Sequence, residues 1–205
     1  FKVFYTTPLK ALSNQKYNDF SEKYGADKVG LLTGDSSINR GAQIVVMTTE
    51  VFRNMLYGTN FGSVTDNLKD VRYVILDEVH YMNDEQRGTV WEESIIYCPT
   101  NVQIIALSAT VANADKLTDW INTVHSKTEL INTDFRPVPL RFYYFDSSQP
   151  NNLLPLLTPS GALNKKIKPE KKEFKRGKAV QKRNVVKDVV RNLQEKDMLP
   201  AIYFT

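Results

Sequence analysis

The sequence has 205 residues, 41% of them apolar and 24% charged, with a net charge of +4. That length supports one full hydrophobic core, the composition is ordinary for a soluble globular protein, and no apolar run approaches the ~20 residues of a membrane span. Cys98 is the only cysteine, which excludes an intrachain disulfide and a cysteine zinc cluster and reads as a small buried hydrophobe.

The charge is unevenly placed. Between Asn164 and Arg183 there are ten Lys/Arg and two Glu, so this segment carries +8 and the rest of the chain −4. The globular part therefore lacks the charge balance of a simple basic nucleic-acid-binding domain.

The first apolar run, Val3-Phe4-Tyr5, reads as a strand and not as a signal peptide. Without an initial Met, the chain reads as an excerpt of a longer one. Thr7 can cap a helix with Pro8 at its first position, and Leu9, Leu12, Tyr17, Phe20 and Tyr24 recur at helical spacing up to Gly25. Ile44-Val45-Val46-Met47 is the second run. Thr48 or Thr49 can cap the helix that follows it, with Val51, Phe52, Met55 and Leu56 inward and Gly58 at its end. Tyr73-Val74-Ile75-Leu76 and Ile104-Ile105-Ala106-Leu107 are the third and fourth runs. Asn113 opens a third helix with Leu117, Trp120, Ile121 and Val124 on one face, and His125 after it reads as a surface residue. The four runs are rich in β-branched or aromatic residues and lack two-residue alternation, as strands buried on both faces do. The expected fold is an α/β sandwich with a mainly parallel sheet.

In such a sheet, ligands bind beyond the carboxyl ends of the strands. Thr6-Thr7-Pro8, Thr48-Thr49-Glu50, Asp77-Glu78-Val79-His80 and Ser108-Ala109-Thr110 follow the four runs and would share one rim. A carboxylate at Asp77 can hold Mg²⁺ through its water shell, because that hard ion dehydrates reluctantly. Glu78 beside it can orient and deprotonate an attacking water. An acidic pair at a strand end can equally be a solvated end or a cap, and His80 a structural histidine. Four polar clusters at equivalent positions weigh against that.

The set resembles the superfamily-two helicases of the DExH type. Thr6-Thr7-Pro8-Leu9-Lys10-Ala11-Leu12-Ser13-Asn14-Gln15-Lys16-Tyr17 resembles motif Ia, Thr33-Gly34-Asp35 motif Ib, and Thr48-Thr49-Glu50 the neighbouring RNA-phosphate motif. Asp77-Glu78-Val79-His80 resembles motif II and Ser108-Ala109-Thr110 motif III. The motif Ia stretch, the stretch from His80 to Glu93 and Thr133-Asp134-Phe135-Arg136-Pro137-Val138-Pro139-Leu140 resemble the superkiller/exosome-cofactor branch of RNA helicases. Leu199-Pro200-Ala201-Ile202-Tyr203-Phe204-Thr205 resembles the strand leading into motif IV.

The resemblance implies a RecA-like P-loop NTPase fold, ATP and Mg²⁺ as cofactors, and RNA as the track, with DNA the second choice and an RNA-decay or RNA-processing complex as the setting. Asp77 would bind Mg²⁺ through water and Glu78 would be the base. His80, Ser108 and Thr110 would couple the ATP site to the motor. Thr7, Pro8, Lys10, Gly34, Asp35 and Thr49 would line the track, where helix N-termini after Thr7 and Thr49 offer N–H groups to phosphates. The domain division would be residues 1–135 for the first motor domain, 136–146 for a crossover strand, 147–183 for a linker or insertion, and 184–205 for the start of the second motor domain.

Two parts that the resemblance calls for are missing from the sequence, the phosphate loop and the arginine-bearing motif of the second motor domain. No G-x-x-x-x-G-K-[ST] loop is present: Gly177-Lys178 is followed by Ala179, and Lys172 stands where the first Gly belongs. The family places that loop upstream of motif Ia. From Ser147 to Arg183, Pro150, Pro155, Pro159, Pro169 and the Lys/Arg run disfavour regular structure. A solvated loop and an auxiliary electrostatic contact with RNA both fit that segment. Val185, Val186, Val189, Val190 and Leu193 then form a helical stripe expected to face a core. An ATP-driven helicase and a non-catalytic RNA-binding module with the same fold both remain open on sequence grounds.

Overall fold

The computed structural model describes residues 1–58, 67–109, 113–133, 135, 137–145, 153–167 and 185–204. It divides into two compact units, Phe1–Asn132 and Thr133–Thr205.

The first unit is built on a six-stranded sheet. Its strands are β1 (Lys2–Thr7), β2 (Val29–Leu32), β3 (Ser37–Ile38), β4 (Ile44–Thr48), β5 (Val71–Leu76) and β6 (Gln103–Ala106), in the order β3-β2-β4-β1-β5-β6. All neighbours are parallel except β2 and β3. Helices α1 (Lys10–Tyr24), α2 (Thr49–Leu56), α3 (Thr89–Ile96) and α4 (Ala114–Val124) connect them, with a 3-10 helix over Val79–Asn83.

Register explains the layers. Val45, Phe4, Val74 and Ile104 pair across the sheet in one row and face one side; the next row, Leu31, Val46, Tyr5, Ile75 and Ile105, faces the other. The first side meets Val51, Phe52, Met55 and Leu56 of α2, Val90, Trp91 and Ile95 of α3, and Leu117, Trp120, Ile121 and Val124 of α4 in the larger core. The second side meets Tyr17 and Phe20 of α1. Helices thus cover both faces of a mostly parallel sheet, the expected α/β class.

The strand β2 has no counterpart among the four expected runs. Its sequence Val-Gly-Leu-Leu is interrupted by Gly30, yet all four residues are buried. A Cβ at Gly30 would sit 2.3 Å from the Asn39 carbonyl oxygen and 3.0 Å from that of Ile38. The glycine is what lets the β3 backbone approach this closely.

Both expected side-chain caps fail. Helix α1 begins at Lys10 with extended Leu9 as its N-cap residue, and neither α1 nor α2 has a side-chain capping hydrogen bond. The Thr7 hydroxyl donates instead to the Leu9 carbonyl (3.0 Å) and lies 2.8 Å from Ser13 Oγ. The Thr49 hydroxyl donates to the Thr7 carbonyl (3.2 Å). Both hydroxyls are turned toward these partners and not toward the N–H groups of the helix each would cap. The C-terminal glycines are where expected: Gly25 and Gly58 both have positive φ, which costs them no Cβ clash. His125 is not a surface residue. It is 8% exposed, with Nδ1 2.8 Å from Ser126 Oγ and Nε2 3.3 Å from the Pro99 carbonyl, because the last turn of α4 carries it inward.

The second unit contains a two-stranded antiparallel pair, β7 (Tyr143–Phe145) and β8 (Leu153–Pro155), and helix α5 (Val185–Glu195). The expected helix over the valine stripe is present, but Val185, Val186 and Val190 are exposed rather than buried. Most of the Lys/Arg-rich segment, residues 168–184, lies outside the described residues. Among the described residues no helix is long and apolar enough to cross a membrane.

Candidate functional site

Because the strands are parallel, their carboxyl ends share a rim. The last row paired across all five parallel strands is Leu32, Met47, Thr6, Leu76 and Ala106, with Thr7 and Thr48 pairing once more beyond it. The residues just beyond it are Thr33, Thr48, Thr7, Asp77 and Leu107, so motifs Ia, Ib and II and the Thr48-Thr49-Glu50 cluster meet there, with Ser108 one residue further along. Ser108 is exposed. Thr110 lies outside the described residues.

Asp77 is held on both oxygens. Tyr5 donates its phenol to Oδ2 at 2.8 Å, and the Glu78 backbone N–H donates to Oδ1 at 3.0 Å. The Tyr5 phenol is pushed above its ordinary range, first by burial and then by the adjacent Asp77 carboxylate. Asp77 is further fixed by its own N–H, which donates to the Thr6 carbonyl at 3.0 Å. Among the described residues no group of three or more His, Cys, Asp or Glu converges on a metal position. A single oriented carboxylate with spare lone pairs suits a hard cation such as Mg²⁺ bound through its water shell.

Glu78 occupies the left-handed region, with φ 56° and ψ 43°. That conformation costs a non-glycine residue about 1 kcal/mol or more and points the side chain away from the course of β5. Its Oε2 lies 3.3 Å from His80 Nδ1. The ring nitrogen makes no well-aligned hydrogen bond despite that distance. The adjacent Val79 N–H donates to the Leu107 carbonyl at 2.9 Å, which joins motif II through backbone to the residue just before motif III.

Among the residues around the starts of α1 and α2, Thr7, Thr49 and Ser13 are fully buried. The two threonine side chains are spent on the junction between β1, α1 and α2, and at 0% exposure neither residue presents surface there. Lys10 and Asp35 pair with each other at 3.1 Å while both are exposed. The Thr33 hydroxyl, then Lys10, hold the Asp35 carboxyl below its ordinary value. Gly34 has Lys10 Cε and Nζ at 4.0 Å from where its Cβ would be and is otherwise open.

Two residues of the site carry no periodicity that could have flagged them. Tyr5 sits inside an apolar run, and only the parallel pairing of β1 with β5 brings it to Asp77. Arg87 sits in the loop after the 3-10 helix. Its Nη2 donates to the Pro8 carbonyl at 2.6 Å and pairs with Glu50.

A profile of the DEAD/DEAH box helicase family matches residues 1–117. A chloroplastic DExH-box ATP-dependent RNA helicase of Arabidopsis thaliana is 56% identical over 168 residues, covering 81% of this chain and 14% of that protein. The probable helicase HelY of Mycobacterium tuberculosis is 52% identical over 139 residues, covering 68% of this chain and 15% of that protein. Superkiller complex protein 2 of Homo sapiens is 39% identical over an alignment covering 100% of this chain and 18% of that protein. The chain therefore spans less than a fifth of the length of these relatives. With the motif II carboxylates on the same rim as the other motifs, the chain belongs to the DEAD/DEAH box helicase family.

Proposed function

We propose that the chain is part of an ATP-dependent RNA helicase, comprising most of the first motor domain (residues 1–135), a crossover strand (136–146), a linker or insertion (147–183) and the start of the second motor domain (184–205). The observation that carries the reading is the placement of Asp77 and Glu78 on the rim that also holds the starts of α1 and α2. The names of the relatives, several of them RNA helicases, favour RNA over DNA as the track. The superkiller relatives favour RNA decay or processing as the setting.

Bound ATP supplies the phosphoryl group to be cleaved, and Mg²⁺ the charge that neutralises it. Asp77, oriented by Tyr5 and by the Glu78 N–H, would hold the Mg²⁺ water shell. Glu78 would orient an attacking water and take its proton, with the His80 ring beside its carboxylate restricting where that carboxylate points. The sequence holds no phosphate loop, which the family places upstream of motif Ia, so hydrolysis would need these residues together with such a loop. The backbone N–H groups at the starts of α1 and α2, Gly34 and its neighbours would follow the strand's phosphates without reading bases. Ser108 and Thr110, in motif III, would pass the state of the nucleotide to the track.

The test uses the longer protein that carries this chain together with its phosphate loop. Glu78→Gln keeps the shape of the side chain and loses the base. It should abolish hydrolysis while leaving binding of ATP-Mg²⁺ and of RNA largely intact. Turnover near the wild-type rate would show that Glu78 is not the base, and RNA binding without any hydrolysis by the wild type would favour the non-catalytic module.

A further inference from the structure

Arg87 lies within the stretch from His80 to Glu93 but outside motifs Ia, Ib, II and III and the Thr48-Thr49-Glu50 cluster, yet it touches two of them. From the loop after the 3-10 helix, its Nη2 donates to the Pro8 carbonyl at 2.6 Å, just before α1, and pairs with the carboxylate of Glu50 in the first turn of α2. The pair is about one-third exposed on each side (34% and 33%), so it is screened less than a surface pair.

The loop that presents Arg87 is itself fixed. Asp84 Oδ1 accepts the backbone N–H groups of Gln86 (3.0 Å) and Arg87 (2.9 Å). Gly88 follows, and a Cβ there would meet the carbonyl oxygens of Met82 at 2.3 Å and Asp84 at 2.7 Å. The guanidinium lies over the buried Trp91 ring at 5.8 Å. Trp91 stacks on Tyr81 (5.7 Å, 21°), whose ring lies 5.3 Å from that of His80. A long side chain delivered by a loop this constrained is a strut.

We propose that Arg87 is a positioning residue for the nucleic-acid backbone: it locks the start of α1 to the first turn of α2, so that both meet the phosphates of a strand as one edge. This rests on the helicase reading of these two helix starts. Arg87 has a second effect there. It neutralises Glu50, whose carboxylate would otherwise face an approaching phosphate unpaired.

The experiment uses the full-length protein and fluorescein-labelled oligouridine, with binding followed by anisotropy and folding by thermal melting. Arg87→Met keeps the apolar stem over Trp91 and removes the donors and the charge. It should weaken RNA binding about tenfold at an unchanged Tm. Arg87→Lys should recover to within about threefold of wild type, because both bonds come from one nitrogen and an ammonium also offers several donors. Arg87→Met with Glu50→Gln should bind better than Arg87→Met alone, because the unpaired carboxylate is gone. Wild-type affinity in Arg87→Met would overturn the proposal. So would equal losses in the Met and Lys variants accompanied by a fall in Tm, since Arg87 would then serve packing alone. If the wild type binds RNA in an Arg87-dependent way but hydrolyses no ATP, the enzyme reading fails and the role of Arg87 stands. If it hydrolyses ATP and Arg87→Met binds RNA normally, only this proposal fails. A wild type that binds no oligouridine would remove both.

Discussion

The phenol of Tyr5 donates to Asp77 Oδ2 at 2.8 Å, although the two are 72 residues apart in sequence. The bond exists because β1 and β5 are parallel neighbours with Tyr5 opposite Ile75, which carries the next turn of chain back over the Tyr5 side chain. Tyr5→Phe should lower stability by about 2 kcal/mol, the usual worth of a hydrogen bond to a charged group. It should also raise the Mg²⁺ concentration needed for half-maximal ATPase in the full-length protein, since Asp77 loses one of the two groups that orient it. The sign of the pH dependence follows from the raised phenol. The fold favours the neutral form, so its contribution is complete below the ordinary value of 10.0 and is lost as pH rises above it. The stability gap between wild type and Tyr5→Phe should therefore be constant from neutral pH to about 10 and shrink beyond, as read by denaturant titration at each pH.

Glu78 carries a backbone cost that its chemistry does not need. With φ at 56°, any L-residue there is strained and glycine is not. Glu78→Ala and Glu78→Gly both remove the base and should both be inactive. Glu78→Gly should nevertheless be the more stable of the two by about 1 kcal/mol. Equal stabilities, or Ala above Gly, would mean that the turn relaxes when the side chain is removed and that the left-handed conformation is not imposed by the fold.

Much of the fold was legible because β-branched and aromatic apolar runs mark strands, although β6, at the sheet edge, is mostly exposed and not buried on both faces as expected. The runs at Val3, Ile44, Tyr73 and Ile104 became β1, β4, β5 and β6, and the inward residues expected for α2 are those found buried. β2 was not legible, because the close approach of Asn39 requires Gly30, and a glycine breaks the apolar run by which strands are recognised. The site was legible only as a list of polar residues after strands. What each side chain does there depends on pairing. Thr7 and Thr49 look like caps in sequence, but the parallel neighbours of β1 turn their hydroxyls inward. Arg87 has no local signal at all, because both its partners are distant in sequence and one of them is a backbone carbonyl.

Cys98 belongs to the larger core, and burial pushes its thiol up to about 12 from an ordinary 9.0. The reactive thiolate is therefore suppressed by orders of magnitude at neutral pH. Iodoacetamide at pH 8 should leave Cys98 unlabelled in the native protein and label it fully in guanidinium chloride, as read by mass spectrometry. Rapid labelling without denaturant would show that the end of α3 opens locally. The same shift makes the thiol's contribution to stability complete below its ordinary value and lost as pH rises through about 12.

Gly30 and Gly34 lie at the two ends of one strand–turn unit and should respond in opposite ways to the same substitution. At Gly30 a Cβ meets backbone at 2.3 Å, which cannot give without moving β3. Gly30→Ala should cost about 2 kcal/mol of stability, within the usual range for an overpacked site. At Gly34 a Cβ meets only the flexible end of Lys10, at 4.0 Å. Gly34→Ala should therefore leave Tm within the small scatter of surface substitutions. If a strand's backbone passes over this turn, the added methyl stands in its way, and RNA affinity should fall severalfold while the fold is intact. Anisotropy titrations of the full-length protein beside thermal melts separate the two effects. Wild-type RNA affinity in a stably folded Gly34→Ala variant would take the Thr33-Gly34-Asp35 turn off the track and leave the Lys10–Asp35 pair as a purely structural link between α1 and β2.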